Sequence, residues 1–83
     1  MMVAYFAWVR ERMGIAEEAV DLPPEVVTVG DLVRWLAARD ERGGRAFAEP
    51  HRIRAALGGA MVGADAAIGA AEEVALFPPV TGG

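Results

Sequence analysis

The chain contains no cysteine, lysine, serine, asparagine or glutamine, and its one histidine is His51. Without cysteine there is no disulfide framework, no thiolate metal site and no cysteine nucleophile. A single histidine argues against a zinc site or a histidine-based triad, and a serine nucleophile is ruled out. No uncharged run approaches the ~20 apolar residues that span a bilayer. The opening Met-Met-Val-Ala-Tyr-Phe lacks the basic stretch of a signal peptide, so a cytoplasmic protein is expected. Positive charge is also scarce: 8 basic against 12 acidic side chains give a net charge of −4 and a pI of about 4.8. The arginines are interleaved with acids, as in Arg10-Glu11-Arg12 and Arg39-Asp40-Glu41-Arg42. That pattern reads as a solvated mixed surface, not a phosphate-tracking patch, so no nucleic-acid partner is expected. The absence of lysine fits a genome rich in Ala, Arg and Gly codons. It also leaves no side-chain amine that an activated carboxyl group would acylate.

What remains is apolar. The hydrophobic fraction of 54% excludes a disordered chain, and 83 residues make one small domain. Residues 2–8 read as a strand with both faces apolar: Val3, Tyr5 and Ala7 on one, Met2, Ala4, Phe6 and Trp8 on the other. Residues 9–13 suit a helical turn closed by Gly14. A second short strand is expected over residues 19–22, stopped by Pro23-Pro24. Thr28 as N-cap with Asp31 three residues on starts the clearest helix, with Leu32, Val33, Leu36 and Ala37 at helical spacing. It should run over residues 29–42 and end at Gly43-Gly44. Residues 45–50 read as a connector. Strands over 53–57 and 60–62 flank Gly58-Gly59, a tight-hairpin signal. Residues 63–71 form a Gly/Ala-rich loop that Asp65 and Ile68 pin to the core. The last strand, 73–77, puts Val74 and Leu76 on one face, Ala75 and Phe77 on the other. Pro78-Pro79 ends it, leaving 80–83 as an extended, flexible tail beyond a 1–79 domain. The order β–β–α–β–β–β, one main helix on a mixed sheet, describes an α+β fold of the β-grasp type.

The usual catalytic arrangements are absent. The carboxylate pairs Glu17-Glu18 and Glu72-Glu73 read as solvated surface, and no glycine run continues as a phosphate loop. The Phe-Pro-Pro approach to the tail is the informative feature. Two prolines stiffen the exit from the sheet. Two glycines then let a partner's backbone come close to a terminal carboxylate, which must be activated before it can react.

The tail Phe77-Pro78-Pro79-Val80-Thr81-Gly82-Gly83 resembles that of the molybdopterin synthase small-subunit (MoaD) family. So do the opening Phe6-Ala7-Trp8-Val9-Arg10-Glu11, the helix start Thr28-Val29-Gly30-Asp31-Leu32 and the strand Glu72-Glu73-Val74-Ala75-Leu76-Phe77. The resemblance implies a ubiquitin-like β-grasp sulfur carrier. On it, a ubiquitin-activating-like enzyme uses ATP to adenylate Gly83, and sulfur converts the adenylate to a thiocarboxylate. Gly82, Thr81 and Val80 thread into the synthase large subunit, which holds the catalytic pocket. Sulfur passes to cyclic pyranopterin monophosphate to build the molybdopterin dithiolene. The resemblance further implies a docking patch of Phe6, Met61 and Phe77 with Arg10 at its rim. It implies a heterotetramer of two small and two large subunits, and no cofactor or metal on this chain. Gly58-Gly59 and the alanine-rich 63–71 loop depart from the family's usual pattern. Other carriers, for thiamine or tRNA thiolation, and a ubiquitin-like modifier share such endings; a non-catalytic β-grasp interaction module is the alternative of another class.

Overall fold

A computed structural model of the chain describes residues 1–79. The expectations for Val80, Thr81, Gly82 and Gly83 lie outside the described residues. Five strands and three helices follow in the order β1 (Met2–Tyr5), α1 (Ala7–Met13), β2 (Glu17–Ala19), α2 (Val29–Arg39), α3 (Glu41–Ala46), β3 (Arg54–Leu57), β4 (Ala60–Val62) and β5 (Glu73–Phe77). A 3₁₀ turn at Pro50–Arg52 precedes β3.

The sheet order is β2-β1-β5-β3-β4. β1 and β5 pair in parallel at its centre; the other neighbours are antiparallel. This is the mixed β-grasp sheet expected from the element order. Alternation along β1 and β5 sends Val3, Tyr5, Val74 and Leu76 to one face, each at most 1% exposed. Leu32, Val33 and Leu36 of α2, Val9 and Met13 of α1, and Phe47 complete the core. Each such side chain contributes roughly 1.5–3 kcal/mol by leaving water.

α2 starts where expected. Thr28 accepts the Asp31 N–H at 3.1 Å, and the Asp31 carboxylate accepts the Thr28 N–H at 3.0 Å, so the capping box is closed. These backbone donors, chiefly those of Thr28 and Val27, lower the Asp31 pKa to about 2. The β3–β4 hairpin also forms as expected. Gly58 and Gly59 take φ of 55° and 86°, the two left-handed residues a tight primed turn requires. Ile68 is buried, and its N–H donates to the Val27 carbonyl, pinning the 63–71 loop; Asp65 is exposed and takes no part.

Several expectations are corrected. β1 stops at Tyr5, not at residue 8. Phe6 is extended, Ala7 turns through a φ of 52°, and Trp8 already lies in α1. The helix therefore gains two residues at its start, Ala7 and Trp8, while Gly14 closes it in the left-handed conformation. The second strand is Glu17–Ala19, not 19–22, because pairing of Val3 with Glu18 fixes the hairpin register. α2 ends at Arg39, three residues early. Asp40 is extended and caps α3 by accepting the Gly43 N–H at 2.8 Å. Gly43-Gly44 thus lies inside a helix: a Cβ on Gly43 would collide with the Leu36 carbonyl, so the glycine permits the close α2–α3 crossing. Phe47, expected in a connector, is a fully buried core residue beside Tyr5. β3 begins at Arg54, one residue late.

Candidate functional site

The parallel pairing of β1 and β5 has a geometric consequence. Both strands end at the same edge of the sheet, and antiparallel β3 begins there. Phe77, Pro78 and Pro79 therefore leave the fold beside Phe6 and Arg54. The Phe6 N–H donates to the Leu76 carbonyl at 3.1 Å, extending the β1–β5 ladder one residue beyond β1. Arg54 is the register partner of Phe77.

The residue order on the outer face follows from register. Met61 pairs with Ala56, Ala56 with Ala75, and Ala75 with Ala4. A row of three alanines thus crosses the centre of the face, with Met61 at one end. Phe77 stands two residues beyond Ala75, and Phe6 two beyond Ala4. Phe6 is 50% exposed, Met61 64% exposed and Phe77 half-buried. The sheet brings Phe6 and Phe77 side by side at the chain exit. Met61 shares their face but lies two strands and one pleat repeat from Phe77, roughly 12 Å. Arg10, exposed on α1, has its N–H bonded to the Phe6 carbonyl and no carboxylate partner among the described residues.

Three further side chains at this end escaped the sequence reading. The Arg12 guanidinium lies 4.2 Å from the Trp8 ring centroid and that of Arg52 lies 5.7 Å from it. Trp8, half-buried and packed against the core, therefore also serves as a platform for two cations. Arg52 also meets Glu49 at 3.2 Å. Arg54 donates to the carbonyls of His51 (2.9 Å) and Ile53 (3.3 Å) and meets no carboxylate among the described residues. Only β-pairing sets Arg54 against Phe77, and a register of that kind leaves no local sequence signal.

One carboxylate read as solvated surface is not. Glu18 accepts the Tyr5 hydroxyl at 2.7 Å and a two-point contact from Arg39 at 3.0 and 2.7 Å. The Arg39 hydrogen bonds lower the Glu18 pKa, against some desolvation, and Glu18 in turn raises that of Arg39. Burial, then the bond to Glu18, pushes the Tyr5 hydroxyl far above its ordinary value. This network ties the β1–β2 hairpin to the end of α2, on the core side of the sheet and not on the outer face that carries Phe77. It is structural.

No group of three or more His, Asp or Glu that could hold a metal ion occurs among the described residues. Among the described residues the exit end offers apolar contact, cations and a route for the chain. Such an end can present a reacting group to another protein.

Comparison with known proteins agrees with that arrangement. The model of the ThiS family matches residues 3–83. The Escherichia coli (strain K12) molybdopterin synthase sulfur carrier subunit is 37% identical over 81 residues, 98% of this chain and 96% of that protein. Molybdopterin converting factor, subunit 1, from Pyrococcus furiosus superposes with a TM-score of 0.74 at 30% identity, covering 95% of each chain. The small archaeal modifier protein 1 of Haloferax volcanii superposes with a TM-score of 0.72 at 27% identity, over 96% of this chain and 97% of that one.

Proposed function

Because the chain belongs to the ThiS family, we propose that it is a ubiquitin-like sulfur carrier and that it serves molybdopterin synthesis. The observation that carries the reading is the 37% identity to the Escherichia coli carrier subunit across nearly the whole of both chains. The Phe-Pro-Pro exit between Phe6 and Arg54 supports it.

In this reading Gly83 bears the reacting carboxyl group. An ATP-dependent adenylating enzyme joins that carboxylate to AMP with loss of pyrophosphate. A sulfur nucleophile then displaces AMP at the acyl carbon, leaving a thiocarboxylate. Val80, Thr81 and Gly82 carry it into the large subunit of molybdopterin synthase, whose pocket performs the transfer to cyclic pyranopterin monophosphate. Phe6, Phe77 and Met61 dock on the partner through the outer sheet face, and Arg10 lies at the rim. Large side chains around a flat alanine surface fit the anchor-and-rim pattern of protein interfaces. Two carriers and two large subunits would form the working assembly. In this reading the chain holds no cofactor of its own and works in the cytoplasm.

A second reading has its own observation: the fold likeness to a small archaeal modifier protein. There the activated carboxyl would acylate lysines of other proteins. The test supplies thiocarboxylated chain to the large subunit with cyclic pyranopterin monophosphate. The carrier reading expects one thiocarboxylate consumed per sulfur delivered and a dithiolene product. Return of unchanged thiocarboxylate, together with amide-linked adducts on lysines of other proteins, would establish the modifier instead.

A further inference from the structure

A cleft of about 380 Å³ opens on the helix side of the sheet, between the start of α2 and the free edge of β4. Val33, Ile53 and Val62 give it an apolar floor, and Arg34, His51 and Arg54 stand around it. None of its lining residues is acidic, although the chain carries a net charge of −4. Arg34 is already held by Asp31 at 2.6 Å. Among the described residues Arg54 donates only to backbone carbonyls. The cleft therefore has an uncommitted cation at one end.

The edge beside it is equally uncommitted. Among the described residues β4 is the last strand of the sheet and pairs only with β3, so one side of its backbone has no strand partner there. Val62 shares the helix-side face with its register partner Ala55, whereas Met61 points the other way. A strand added along β4 would put alternate side chains on that helix side, over the cleft. The Gly30 N–H donates to the Ala64 carbonyl at 2.8 Å, joining the chain after β4 to α2 and closing the cleft there.

We propose that the β4 edge and this cleft receive an extended peptide segment of a partner protein, with an apolar side chain seated between α2 and β4 and an acidic side chain facing Arg54. The strand edge selects a peptide over a free small acid, because it offers backbone hydrogen bonds that only an extended chain returns. The cleft combines a cation, an apolar floor and a strand edge within a chain of net negative charge, and that combination favours such a segment there. The inference uses none of residues 80–83. Failure of the carrier reading leaves it standing, and its own failure leaves the carrier reading standing.

The test is titration of the ¹⁵N-labelled full chain, followed by amide chemical shifts. The probes are acetyl-Asp-Leu-Asp-Val-Glu-amide, its Asn/Gln analogue, and hexanoate. Saturable shifts should map to residues 60–63 and to Val29, Val33 and Ile53. Affinity should fall about tenfold for the neutral analogue and for Arg54→Gln. Ala64→Phe, which fills the cleft from an exposed position and keeps the carbonyl that Gly30 uses, should abolish binding. Arg54→Gln removes only an exposed side chain, so it remains decisive if Ala64→Phe disturbs the fold. No saturable shift would overturn the proposal. So would equal affinity for charged and neutral peptides, or hexanoate binding as tightly as the peptide.

Discussion

Phe77 is half-buried at the end of β5 and Phe6 half-exposed beside it, so a change at either acts on partners more than on the fold. We expect Phe77→Asp to weaken association with the large subunit at least tenfold, as loss of an interface anchor does. Titration calorimetry would show it, with the far-ultraviolet dichroism unchanged. Glu18 behaves in the opposite way: it serves the fold and not the site. Its folded pKa lies below its ordinary value of 4.5. A carboxylate of this kind contributes stability that is fully present above its unfolded pKa and is lost as pH falls through the folded one. Asp31, at about 2 against 3.8, and Asp40, also lowered, act with the same sign. Denaturant unfolding should therefore show stability falling from about pH 4.5 towards pH 2. Glu18→Gln should lower stability at pH 7 by about 1–2 kcal/mol, since it removes the two-point carboxylate partner of Arg39 and leaves it the longer contact with Asp40 at 3.4 Å. Its acid decline should be shallower than that of the wild type. At the alkaline end the sign reverses: the raised Tyr5 pKa gives a contribution that is lost as pH rises above 10.

The elements show what a sequence discloses and what it withholds. Thr28 with Asp31, Gly58-Gly59 and the alternation of residues 73–77 are local signals, and each formed as written because neighbours in sequence decide it. The breaks at Phe6 and Asp40 were not legible, because tertiary contacts decide them. The strand 2–8 reads as continuous, yet the helix begins at Ala7, where a left-handed φ turns the chain out of the sheet. Gly43-Gly44 reads as a stop, yet it is the contact that lets α3 fold back on α2. This assignment is testable by a pair of variants. Gly43→Ala drives a methyl group into the Leu36 carbonyl and should cost about 3 kcal/mol. Gly44→Ala meets only an ordinary contact with the Ala37 carbonyl at 3.5 Å. It should be neutral or stabilising by up to about 1 kcal/mol, from the gain in helix propensity. Thermal unfolding of both separates a packing glycine from a helix terminator. For the candidate site, the shared outer face of Phe6 and Phe77 followed from alternation, while Met61 was named from the family resemblance alone. Their unequal spacing, and the Arg54 beside Phe77, were not, since both depend on pairings between distant strands.

At the scale of the whole molecule the fold is a stand for one end of a central strand. The α2 side of the sheet carries the core, the outer face carries Phe6, Met61 and Phe77, and the parallel β1–β5 pair sends the chain out beside Phe6 and Arg54. No helix among the described residues is long and apolar enough to cross a membrane. The chain's lack of lysine fits the proposed carrier role, in which an activated carboxyl group would find no side-chain amine on a second copy of the chain. The most direct test of the carrier account is the intact mass of the full chain after incubation with its adenylating enzyme, ATP and a sulfur donor, beside a control lacking Gly83. The account predicts a gain equal to the exchange of one oxygen for sulfur, present in the full chain and absent from the control. An unchanged mass, with the enzyme shown active on another carrier, would contradict it.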